Sequence, residues 1–160
     1  MTYQINIQQV VDKTLAPKAS LMRKWARQAL SRKLTAAEIT LRLVDSEEMT
    51  SLNSVYRHKN GPTNVLSFPF ATPDAIPTDI PYLGDIVICA DVVNNEANEQ
   101  NKEPAAHWAH MIVHGIFHLL GYDHETNEQA TVMETLEIET LQILGFQNPY
   151  LTGEDNSYHG

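Results

Sequence analysis

The sequence predicts an α+β fold, a single domain with a mixed sheet of about four strands covered by about five helices. Three observations carry that expectation. At 160 residues the chain has the length of one domain and can bury a core without disulfide staples. With 42% apolar and 19% charged residues, its balance is globular rather than disordered or fibrous. Its apolar period also changes along the chain, in the order β-α-β-α-β-β-α-α-α, so strands and helices are both expected.

Each element has a local reason. YQINIQQVV (3–11) alternates apolar and polar residues and reads as a strand. In KASLMRKWARQALSRK (18–33), Leu21, Met22, Trp25, Ala29 and Leu30 share one helical face. Arg23, Lys24, Arg27, Arg32 and Lys33 fall mostly elsewhere on the wheel, which makes an amphipathic helix with a basic outer side. EITLRLV (38–44) alternates again, and Asp45 or Ser46 can cap a helix running to Tyr56. Arg57 to Pro62 is turn-like, NVLSFPF (64–70) is a strand edged by Pro69, and residues 71–81 with three prolines form a loop.

LGDIVICA (83–90) is apolar and β-branched, the most central-looking strand. Asp91 is expected to cap a short helix to Asn101. Pro104 suits the first turn of a helix that runs to Leu120 and stops at Gly121. Thr126 to Leu144 is a last amphipathic helix, stopped by Gly145. The domain is expected over residues 1–150, with LTGEDNSYHG (151–160) as a frayed tail.

Composition narrows the setting. No apolar stretch is long enough for a transmembrane helix, and MTYQINIQQVVDK lacks the basic-then-apolar order of a secretory signal. Cys89 is alone, which rules out an internal disulfide and favours a reducing, cytoplasmic setting. The net charge of −9 is unevenly spread, with +5 on residues 1–60 and −14 on the rest. A uniformly acidic chain would be repelled by a polyphosphate, but segregation permits one basic face for nucleic acid. The same charges also suit a solvated helix surface and an acidic tail.

Four of the seven histidines, His107, His110, His114 and His118, lie on the 104–120 helix. At about 100° per residue they fall within an arc of roughly 80°, so they form one stripe. His114 and His118 are one turn apart, and a tight turn after Gly121 can swing His124 back as a third ligand. Three imidazole nitrogens leave a divalent ion with one position for water, as in catalytic rather than closed structural sites. One zinc ion suits the set best, with nickel, copper and iron as alternatives. His107 and His110 read as core residues, one of which can hydrogen-bond a neighbour behind the site.

The spacing H-x3-H-x5-H matches the metzincin protease pattern at every His and at the Gly. Gly115, however, stands where those proteases carry the Glu that takes a proton from metal-bound water. The spacing thus supports a metal and weakens peptide hydrolysis.

HGIFHLLGYDH (114–124) resembles the H-G-x-L-H-L-x-G-Y-D-H signature of the bacterial YbeY family of metal-dependent endoribonucleases. LNSVYRHKNGPTNVLSFPF (52–70) is similar to that family's L-N-x-x-Y-R and T-[DN]-V-L-S-F-P block, and LGDIVIC (83–89) to its L-G-D-I-x-I strand. Phe117 replaces the usual Leu. The resemblance implies His114, His118 and His124 as metal ligands and Arg57 as the family's functional arginine. It also implies single-strand-specific RNA cleavage in 3′-end maturation of small-subunit (16S) ribosomal RNA and in ribosome quality control.

In such an enzyme Arg57 would place a planar fork on the scissile phosphate. Asp85 and Asp123 are the candidates by motif for a general base. A second role for Asp123 is to orient a ligand imidazole, and Asp85 equally suits a structural role. Arg23, Lys24, Arg27, Arg32 and Lys33 are candidates for contact with ribosomal RNA or the small subunit. The competing readings are a non-catalytic, metal-stabilised ribosome-assembly factor and a zinc metalloprotease.

Overall fold

The structure, a computed structural model, describes residues 1–70 and 80–151. The expected 71–81 loop falls outside them except for residues 80 and 81, and the expected tail except for Leu151. The described elements are β1 (Thr2–Gln9), a single 3-10 turn (Lys13–Leu15), α1 (Ala19–Leu30), β2 (Ala36–Val44) and α2 (Ser46–Arg57). They continue with β3 (Val65–Pro69), β4 (Tyr82–Cys89), α3 (Ala90–Glu99), α4 (Pro104–Leu119) and α5 (Asn127–Ile143). The α+β class and the mixed sheet are as the sequence predicts.

The sheet order is β1-β2-β4-β3. β1, β2 and β4 run parallel, and β3 lies antiparallel on β4 at the edge. Parallel neighbours need a crossover, which α1 supplies between β1 and β2. β4 is interior because both its faces are apolar. Ile86 and Ile88 join Ile39, Leu41 and Leu43 beneath α1 and α4. Val87 and Cys89 meet Val44, Leu66 and Met49 of α2 on the opposite face.

On α1 the buried stripe is Met22, Trp25, Ala26, Ala29 and Leu30, and Leu21 lies outside it at 39% exposure. The helix stops at Leu30, three residues short of the expected end. Asp45 caps α2 through Glu48 N–H at 2.9 Å, and Thr126 with Gln129 forms a capping box on α5. Asp91 does not cap α3. That helix starts directly from β4 with Cys89 at the cap position, and the Asp91 carboxylate accepts from Ser46 Oγ at 3.1 Å.

Two glycines let α4 lie close on the β3–β4 end of the sheet. Gly84 has φ +144°, and a Cβ there would sit 2.2 Å from the Phe68 carbonyl oxygen and 3.1 Å from Leu119 Cδ2. A Cβ on Gly115 would sit 2.8 Å from Ile86 Cγ2. Ser67 Oγ donates to the Gly115 carbonyl at 3.1 Å, tying β3 to the middle of α4. The last turns of α4 are thereby held beside the β3 edge.

Candidate metal centre

His114 and His118 leave α4 one turn apart. The helix then ends through Gly121 at φ +98°, a left-handed conformation that glycine adopts freely. Gly121 N–H reaches His118 O and Tyr122 N–H reaches Phe117 O, both at 3.0 Å. This turn brings His124 back, so that one nitrogen from each of His114, His118 and His124 lies within 4.8 Å of the others. Ring centroids are 4.8 Å apart for His114–His118, 5.0 Å for His118–His124 and 5.7 Å for His114–His124. The sequence-predicted trio converges.

Behind the trio stands a residue that the sequence reading missed. Glu137 of α5 is fully buried, at 0% exposure. Its Oε2 lies 2.6 Å from His114 Nδ1, and its Oε1 lies 2.9 Å from His110 Nε2 and also accepts from the Tyr150 hydroxyl. Burial raises the Glu137 carboxyl, but hydrogen bonds from His110 and His114 outweigh it and bring it down to about 2. An ionised carboxylate at Nδ1 fixes the proton there and leaves Nε2 of His114 as its free nitrogen. The available signal was an acid on an apolar stripe, since Met133, Glu137, Thr140 and Leu141 are the buried positions of α5.

The donor set fits a divalent transition metal. Metal-binding imidazoles must be neutral, and burial, then the charges of His114 and His124, hold His118 below the usual imidazole range. His114 and His118 are half-buried, and His124 is exposed at the mouth.

The same cleft is lined by Arg57. It ends α2, where His58 adopts a left-handed φ of 56° and Asn53 Nδ2 donates to Gly61 O at 2.9 Å to close the turn. Arg57 shares a cleft of about 650 Å³ with β3 residues, the three histidines, His110 and Tyr150. Its guanidinium is exposed and makes no hydrogen bond or ion pair among the described residues. Asp123 also lines the cleft, its carboxylate accepting from His124 N–H at 2.7 Å.

Asp85 is not brought to this cleft. Alternation along β4 sends residues 84, 86 and 88 toward α4 and residues 85, 87 and 89 to the other face. Asp85 is exposed there and accepts from the Tyr82 hydroxyl. The basic set of α1 also divides. Arg23 Nε donates to Ile5 O at 3.1 Å, Arg32 pairs with Glu139 at 2.6 Å, and Lys33 Nζ sits 4.9 Å from the Tyr122 ring centre. Only Lys24 and Arg27 are exposed without a partner among the described residues, beside Met1–Tyr3 at the β1 edge. No helix among the described residues is long and apolar enough to cross a membrane.

Fold and site together define an α+β protein whose three-imidazole cluster, suited to a divalent metal, lines an open cleft together with an arginine. The sequence profile of the family described as Endoribonuclease YbeY matches residues 4–145. The chain is 47% identical over 150 residues to Endoribonuclease YbeY of Nitrosococcus oceani, covering 94% of this chain and 98% of that one. It is 49% identical over 159 residues to the Alcanivorax borkumensis protein of the same name, covering 98% and 91%. A solution structure of a Thermotoga maritima protein shares the fold, with a TM-score of 0.57 at 22% identity over 92% of this chain and 99% of that one. The chain belongs to the endoribonuclease YbeY family.

Proposed function

We propose that this chain is a metal-dependent endoribonuclease that cuts single-stranded RNA. The observation that carries the reading is that Arg57, a guanidinium without a partner among the described residues, lines the same cleft as the three imidazoles. His114, His118 and His124 hold one divalent ion, zinc being best suited to an all-nitrogen set. When bound, the ion lowers the pKa of a water and polarises a phosphoryl oxygen. Arg57 grips the scissile phosphate through its planar fork and offsets charge that develops there. Asp123 holds the backbone of His124 and is the motif carboxylate that lines the cleft. Asp85, facing away, supports the sheet through Tyr82 instead.

The biological substrate we assign is the 3′ end of small-subunit (16S) ribosomal RNA, with a role in ribosome quality control in the cytoplasm. The support is the family's motif blocks, together with a buried, unpaired Cys89 that suits a reducing compartment. Lys24 and Arg27 are the cations left to contact the RNA or the small subunit. A protease reading is opposed by Gly115. Its α-carbon is packed on Ile86, so a longer side chain at that position would meet the sheet.

The test incubates purified protein with a ribosomal RNA fragment bearing a single-stranded 3′ extension, and in parallel with casein. Chelator-sensitive RNA cuts that disappear in Arg57→Ala and His114→Ala, with casein intact, support the reading. Equal RNA cleavage by wild type and both variants, or cleavage of casein alone, refutes it.

A further inference from the structure

The buried carboxylate of Glu137 has three donors converging on it from two parts of the chain. His110 and His114 come from α4, and Tyr150 comes from the segment after α5. That segment is itself held. Lys102 Nζ donates to Pro149 O at 2.8 Å, and Asn148 Oδ1 accepts from Tyr150 N–H at 2.8 Å. A carboxyl group with no solvent contact would not persist in a core without full hydrogen bonding. Three donors, two on Oε1 and one on Oε2, supply it.

We propose that Glu137 is a positioning residue for the metal centre, and that Tyr150 and His110 hold it in place for that task. The geometry sets both the ring angle and the tautomer of His114. With its proton on Nδ1 facing Oε2 at 2.6 Å, His114 has its lone pair on Nε2 before any ion arrives. His110 is set in the opposite sense, giving Nε2–H to Glu137 and leaving a buried Nδ1 without a partner among the described residues. Two histidines of one helix stripe are thus fixed in opposite tautomers by one carboxylate, and only one of them is a candidate ligand. Tyr150 also lines the cleft, so the chain beyond α5 is part of the site's architecture.

The inference rests on the reading that His114, His118 and His124 hold a metal, but its test uses no RNA. Full-length wild type, Glu137→Gln and Tyr150→Phe are stripped of metal and checked for folding by circular dichroism. Zinc affinity is then read by competition with a chromophoric chelator, and the His114 tautomer by nitrogen-15 NMR of the apo proteins. An amide can present an N–H to Nδ1 and move the proton to Nε2. Glu137→Gln is therefore expected to populate the Nε2–H form and weaken zinc binding by about 10- to 100-fold. Tyr150→Phe removes one of three donors and is expected to weaken zinc binding several-fold with the tautomer kept. A folded Glu137→Gln with wild-type tautomer and zinc affinity overturns the proposal alone. Wild type that binds no zinc overturns it together with the metal reading. If Glu137→Gln does not fold, the zinc affinity of Tyr150→Phe decides, and a value equal to wild type overturns it.

Discussion

The first half of α4 presents His107 and His110, and the second half presents His114 and His118, on one stripe. His107 and His110 are 4% and 7% exposed. Each turns Nε2 to a carboxylate at 2.9 Å, His107 to Glu96 and His110 to Glu137. His114 instead turns Nδ1 to Glu137, and His118 has no carboxylate partner among the described residues; both are half-buried on the cleft that His110 also touches. The same side chain on the same face becomes a core residue or a candidate ligand. The difference lies in what packs over it. α3 and the chain after α5 pack over the first half, while the second half lies on the cleft beside the start of β3, where Gly121 turns the chain. Helical spacing places an imidazole, and the neighbouring elements decide its work.

The contrast is most directly broken from the cleft side. His118→Ala is expected to reduce bound zinc from equimolar to background by elemental analysis and to abolish chelator-sensitive RNA cleavage. His107→Ala should keep its zinc. Arg57→Ala removes a charge lining the cleft, and cleavage is expected to fall about 10²- to 10³-fold with zinc content unchanged. A parallel loss of zinc in that variant would place Arg57 in the metal site rather than on the substrate.

From the core side the expected effects are on stability. His107→Ala deletes the bond to Glu96 and leaves a void, costing about 2 kcal/mol in denaturant unfolding. Gly115→Ala pushes a methyl against Ile86, and overpacking outweighs the gain in helix propensity by about 1 kcal/mol. The smallest effect is on pH. Burial holds His107 below the ordinary imidazole range against the pull of Glu96. As pH falls through about 6.5 the unfolded chain takes up a proton there that the folded chain refuses, so stability is lost toward acid. Chelator-treated protein should show a lower unfolding midpoint at about pH 5.5 than at about pH 7.5, with a smaller drop in His107→Gln.

Element types were legible wherever one side chain period ran long enough, as in α1, β2 and α4. Errors fell at the ends. Asp91 looked like a cap because acids favour that position, but β4 runs straight into α3 and leaves no residue between them. Asp85 looked catalytic because it sits in a motif, and strand alternation turned it to the wrong face. Arg32 reads as a free cation until Glu139, from the other end of the chain, is found beside it.

By itself the sequence determined that three imidazoles converge, because His114, His118, Gly121 and His124 are neighbours in the chain and one helix plus one turn brings them together. The blocks around Arg57 also marked the family. Only the tertiary structure decided that Arg57 lines one cleft with that trio, and that Glu137 stands behind it. Those residues lie 57 and 23 positions from His114. A local pattern reports the face a residue occupies on its own element, whereas partners across a cleft are set by how separate elements pack.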